Sequence, residues 1–149
     1  MAKKEIIKQK TAMPEQDAKA RARNFKEVAL GYTEDQVLIE ASRCLQCPKR
    51  NCVEGCPVNV PIPEFIAMIN QKDYRGAINK IFEKNVLPAI CGRVCPQESQ
   101  CEKYCTIGKI KGSEPVAIGR LERFVADWDQ ANPARSEEHT SELQSPNTI

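Results

Sequence analysis

Residues 44–57 read CLQCPKRNCVEGCP, and residues 91–105 read CGRVCPQESQCEKYC. Together they hold all eight cysteines of a 149-residue chain: Cys44, Cys47, Cys52, Cys56, Cys91, Cys95, Cys101 and Cys105. Each run concentrates four thiols in one short loop, where successive side chains can turn inward toward a shared centre. Three of the cysteines, Cys47, Cys56 and Cys95, are followed directly by proline. Proline fixes the backbone as it leaves the thiol and removes one N–H from the surroundings. Thiolates grouped in this way select soft metal centres, which leaves zinc and iron–sulfur as candidates.

Eight cysteines could instead build a disulfide framework, but such frameworks belong to secreted chains. The basic opening MAKKEIIKQK runs into the polar stretch TAMPEQDAKARAR, without the apolar segment of a signal peptide. No run approaches the roughly 18 apolar residues of a membrane span. The chain is therefore expected to be cytoplasmic with reduced thiols and no membrane contact, and its net charge of +2 makes no case for nucleic acid. His139, the only histidine, lies in the polar stretch 135–149. That stretch lacks periodicity, and its RSEEHTSELQS resembles the translation of a DNA-sequencing adapter. A disordered, non-native tail over 133–149 is expected, with the natural sequence continuing beyond about Ala134. Without a histidine in the fold, Rieske centres and Cys₂His₂ zinc sites are excluded. Structural zinc favours two short knuckles across a spacer. Dense four-cysteine runs with Cys-Pro are closer to the bacterial ferredoxin run, whose fourth cysteine serves the other cluster. The reading is two iron–sulfur clusters, and a zinc-binding interaction module is the alternative from another class.

Aromatic residues are 5% of the chain, so the core must rest on Ile, Leu, Val and Ala. Residues 1–24 read as an N-terminal extension with a short helix around residues 14–24. Thr33 and Gln36 form a capping box, after which Val37, Leu38 and Ala41 lead at helical spacing into Cys44. Prolines 48, 57, 61 and 63 punctuate the first cysteine loop. Helices are predicted from Pro63 (PEFIAMINQ) and over Tyr74–Glu83, and residues 87–91 read as an apolar lead-in to the second cysteine run. Residues 109–114 (KIKGSE) read as a turn with Ser113 as an N-cap. The last helix is predicted over Pro115–Asp129, its stripe formed by Ala117, Ile118, Leu121, Phe124, Val125 and Trp128. No alternating β pattern appears. The expected fold is all-α, one domain over 25–132 with two cysteine loops.

Beyond the cysteines, the stretches MPEQDAKARARNF, GYTEDQ, PVNVPIPEFI and IGRLERF complete a pattern that resembles the N-terminal domain of the glutamate synthase small (beta) subunit family. Dihydropyrimidine dehydrogenase and the large subunit of NADH-dependent ferredoxin:NADP oxidoreductase share this module. The resemblance covers residues 12–132 and implies a helical ferredoxin-like domain. It implies that Cys44, Cys47, Cys52 and Cys105 hold one cluster, and that Cys56, Cys95 and Cys101 hold the other. The fourth ligand of the second cluster is implied to be the Gln or Glu that follows an IG-x-L motif. Here that motif is Ile118-Gly119-Arg120-Leu121, which places the ligand at Glu122, at the edge of the apolar stripe. Counting cysteines gives Cys91 as the alternative; with Glu122 in place, Cys91 becomes a buried free thiol. Arg43, Lys49, Arg50, Arg93, Lys103, Lys109, Lys111, Arg120 and Arg123 crowd the cysteines. They could ease the burial of anionic clusters, lie solvated, or dock a partner.

The seven glycines contain no G-x-G pair, so the dinucleotide fingerprint is absent. The chain is expected to hold neither a flavin nor a nicotinamide site and to have no catalytic centre of its own. The resemblance implies that FAD and NADPH bind a missing C-terminal part, and that the partner is an FMN-containing large subunit. This chain would relay electrons between the two flavins. The runner-up is the same relay in an electron-bifurcating ferredoxin:NADP oxidoreductase.

Overall fold

Apolar residues at helical spacing build the body of the protein, seen here in a computed structural model that describes residues 7–133. The sequencing-adapter-like stretch 135–149, with His139, lies outside the described residues. In chain order the α-helices are α1 (Ala18–Arg21), α2 (Glu34–Ser42), α3 (Asn51–Glu54), α4 (Ile62–Asn70), α5 (Tyr74–Phe82), α6 (Pro88–Val94) and α7 (Ile118–Ala131). Two 3₁₀ turns, Gln97–Ser99 and Ile107–Lys109, separate α6 from α7. Among the described residues there is no strand, only an isolated antiparallel bridge between Glu15 and Ala29.

The capping box of α2 forms as read: Thr33 Oγ1 accepts the Gln36 N–H, and Gln36 Oε1 accepts the Thr33 N–H at 2.9 Å. The helix contributes Val37 and Ala41 to a core shared with Ile62, Phe65, Ile66 and Ile69 of α4 and Ala77, Ile78 and Ile81 of α5. Helix α7 closes this core with Ile118, Leu121 and Val125. Tyr74 meets the Phe124 ring edge-on at 5.3 Å and lies 5.6 Å from Trp128.

Two elements depart from the sequence reading. Helix α7 starts at Ile118 rather than Pro115, because longer-range partners use the backbone of residues 114–117. The Glu114 N–H donates to Lys8 O, Arg43 donates to the Glu114 and Pro115 carbonyls, and the Ala117 N–H donates to Glu40 Oε1 at 2.8 Å. A segment committed in this way cannot continue the i→i−4 ladder, and Ser113 makes no side-chain cap. The apolar lead-in at 87–91 instead opens α6, in which Pro88 occupies the first turn, where its missing N–H costs nothing.

The segment from Ile7 to Thr11 is held by a buried charge knot. Glu40 and Arg43 pair with both side chains fully buried. Glu40 also accepts the Thr11 N–H at 2.7 Å, and Arg43 donates to the carbonyls of Ile7 and Lys8. Lys10 pairs with Glu102 inside the second cysteine run.

Candidate metal centre

None of the eight cysteines is joined in a disulfide, and the chain distributes them over loops and helix ends. Cys44 follows the C-cap of α2, Cys47 lies in the loop beyond it, Cys52 is on α3, and Cys56 follows the Gly55 C-cap. Cys91 is on α6, Cys95 caps it, and Cys101 and Cys105 lie between the two 3₁₀ turns. Gln46 takes a left-handed φ of 50° between Cys44 and Cys47. Non-glycine residues rarely adopt this conformation. Gln46 stands between two thiols that border the same cavity.

That cavity is lined by Cys44, Cys47, Cys52 and Cys105, with Lys49 and Thr106 beside them. The Cys47 thiol lies 3.4 Å from Thr106 Oγ1. Burial, reinforced by repulsion from Cys105 and Cys44, pushes the Cys52 thiol up to about 12. Cys105 thus crosses over from the second run to stand with three thiols of the first.

Cys56 makes the opposite crossing. Burial pushes Cys95 up to about 11, with Cys91, Glu122 and Cys56 adding to the effect. Cys101, the most buried of the eight, is pushed up by burial and then by Glu102, Cys56 and Glu122. Glu122 on α7 is 9% exposed, and burial lifts its carboxyl to about 7 against the opposing hydrogen bond from Asn85. Asn85 Nδ2 donates to Glu122 Oε1 at 2.7 Å, and Cys91 Sγ lies 3.6 Å from Asn85 Oδ1. Asn85 escaped the sequence reading. An Asn three residues before a proline carries no metal-site signal.

Among the described residues, no three His, Cys, Asp or Glu side chains converge on a point that one metal ion could occupy. A four-iron cluster asks for a different arrangement, since each thiolate meets its own iron corner and the donors stand apart around a wall. Soft thiols whose ionised forms would repel one another match that demand, because iron replaces their protons and its positive charge offsets that repulsion. The residues present therefore fit iron–sulfur ligation.

The arginines near the cysteines serve mostly as structural ties. Arg43 is buried in the Glu40 knot, Arg93 and Arg123 both pair with Glu27 and Asp127, and Arg50 pairs with Glu64. Arg120 donates to Thr11 O at 2.9 Å and reaches the Tyr32 hydroxyl.

A helical body that brings its cysteines together in two crossed groups is suited to holding a thiolate-ligated cofactor. The chain belongs to the family described as dihydropyrimidine dehydrogenase domain II, 4Fe-4S cluster, which matches residues 21–134. It is thus an iron–sulfur electron-transfer domain of an oxidoreductase family. The NAD-dependent dihydropyrimidine dehydrogenase subunit PreT of Escherichia coli (strain K12) is 39% identical over 104 residues, covering 70% of this chain and 25% of that protein. The glutamate synthase (NADPH) small chain of the same organism is 35% identical over 119 residues, 80% of this chain and 25% of that protein. The corresponding small chain of Halomonas elongata is 34% identical over 110 residues, 74% and 23% respectively. The chain spans about a quarter of the length of these curated relatives. Among the described residues no helix is long and apolar enough to cross a membrane.

Proposed function

We propose that residues 25–132 form a two-cluster, ferredoxin-like electron relay. Cys44, Cys47, Cys52 and Cys105 would hold one 4Fe–4S cluster, and Cys56, Cys95, Cys101 and Glu122 the other. The observation that carries this reading is the crossing of Cys56 and Cys105, which makes two donor groups out of two sequence runs. When bound, such clusters accept and release single electrons. The chain's own residues hold the thiols apart, bury them, and supply hydrogen bonds such as that between Cys47 and Thr106.

The relay is placed in a cytoplasmic glutamate synthase small-subunit-like enzyme. In this reading FAD and NADPH bind the part of the polypeptide that the relatives possess beyond this domain, and an FMN-containing large subunit receives the electrons. The identity to PreT favours a second destination, a pyrimidine-reducing partner served by the same relay.

Anaerobic reconstitution tests the central claim. The protein should take up about eight iron and eight acid-labile sulfide per chain and show broad visible absorption that bleaches with dithionite. Stoichiometric zinc without sulfide would overturn it.

A further inference from the structure

Asn85 sits between α5 and α6, 8% exposed, and all three of its side-chain contacts point at the second donor group or the helix that carries it. Its Oδ1 accepts the Leu87 N–H at 3.0 Å, at the N-cap of α6. A backbone N–H can only donate, so this bond fixes which end of the carboxamide is oxygen. Nδ2 must then face Glu122 Oε1, at 2.7 Å. The same Oδ1 stands 3.6 Å from Cys91 Sγ, positioned to accept its S–H. One amide, locked by the backbone, therefore holds both candidates for the eighth ligand, with a donor for the carboxylate and an acceptor for the thiol.

We propose that Asn85 is the positioning residue that selects Glu122 over Cys91 as the eighth cluster ligand. Its N–H orients a carboxylate toward the second donor group, and its oxygen engages the Cys91 thiol away from iron. The inference rests on the reading that Glu122 is a ligand of the second cluster. Partners of this kind, one bond removed from a metal, fix ligand orientation and tune affinity.

A purely structural role for Asn85, as the cap of α6, makes a different prediction from a positioning role, and Asn85→Asp separates them. Aspartate still offers an oxygen to the Leu87 N–H, but it has no donor for Glu122 and sets a second carboxylate against it. Wild-type holoprotein should hold about eight iron, with the partly exposed Cys91 the one cysteine alkylated by iodoacetamide. In Asn85→Asp, Glu122 should leave the cluster, so that either Cys91 becomes protected from alkylation or a three-iron paramagnetic signal appears in the oxidised protein. With the thiol removed as well, in Asn85→Asp/Cys91→Ala, iron should be held about 10- to 100-fold more weakly at the second site. Should Asn85→Asp fail to fold, Asn85→Ser keeps an oxygen and removes the donor without adding charge, and the same changes are expected. A variant with wild-type iron content, wild-type spectrum and an alkylated Cys91 overturns the proposal. Failure of the underlying reading is separately visible with Asn85 intact: Cys91 is then already protected in the wild type, and Glu122→Ala keeps all its iron.

Discussion

Glu122 lies on α7 between Leu121 and Arg123, both buried, and its carboxyl is held near neutrality by burial. As a cluster ligand Glu122 would bind iron as the ionised carboxylate, so below about pH 7 a proton would first have to be displaced. The sign is that of a raised acid: uptake at the second site weakens as pH falls through this value, by up to about tenfold per unit for the one proton. Glu122→Gln keeps an oxygen donor with no proton to lose. Its iron uptake should vary less than wild type between about pH 6 and pH 8, and Glu122→Ala should lose iron at both. Iron-binding titrations at the two pH values check this, and identical pH profiles for wild type and Glu122→Gln would contradict it. The helical wheel made Glu122's position at the stripe edge legible, but only family resemblance suggested a ligand, since a flanking glutamate is ordinarily solvated. Arg43 was misleading for the opposite reason. Three residues after Glu40, it has the spacing of an exposed helical pair, and only the arrival of residues 7–11 and 114–117 buries it.

Helices with complete local signals were legible from sequence, and those that depend on distant partners were not. The capping box of α2 and the apolar run of α4 are both local; the Asp73 cap of α5, which accepts the Gly76 N–H at 2.8 Å, is local too but escaped the sequence reading. The start of α7 and the existence of α6 depend on packing. Gly92 shows why these two helices must meet closely. A Cβ there would stand 2.6 Å from the Arg123 backbone nitrogen and 2.8 Å from its Cα, atoms that cannot rotate away. Gly92→Ala should therefore force α6 from α7 and cost about 1–3 kcal/mol. Because α6 carries Cys91 and ends at Cys95 while α7 carries Glu122, iron should be lost from the second site before the first. Thermal melting with parallel iron analysis of the holoprotein would show both effects. A variant with unchanged melting and full iron would mean that the helices can part without consequence.

Across the whole molecule, the helical class and the two cysteine runs could be read directly, whereas the fate of the N-terminal segment could not. Residues 7–11 look like part of a charged extension, yet their backbone ends on Glu40 and Arg43, a link spanning more than one helix that no local pattern encodes. Glu40→Ala would leave the Arg43 charge buried and the N–H groups of Thr11 and Ala117 unpaired. Breaking a buried pair from one side costs about 3–5 kcal/mol, which denaturant melts of the iron-loaded protein should register. Glu40→Gln, which retains the acceptor oxygen, should lose less; equal losses would assign the effect to packing rather than charge.

The hydrophobic core and the cysteine loops also divide the molecule's stability unevenly. Phe65, Ile66, Ile69, Ile78, Ile81 and Leu121 are almost fully buried, whereas Cys101 is the one cysteine of the buried core and Cys44, Cys52, Cys56 and Cys105 pack at its edge. The loops at 44–59 and 95–110 have short helices and turns, left-handed residues at Gln46 and Asn59, and thiols whose ionised forms would repel one another. Ligand bonds should therefore supply much of the loops' folding energy and less of the core's. Chelating the iron anaerobically should abolish amide-exchange protection across 44–59 and 95–110 while much of it survives in α4, α5 and the central turns of α7. Hydrogen exchange read by mass spectrometry before and after chelation resolves the two regions. Uniform loss of protection would mean that the core cannot stand without its cofactors, and uniform retention would mean that the loops are held by their hydrogen bonds alone.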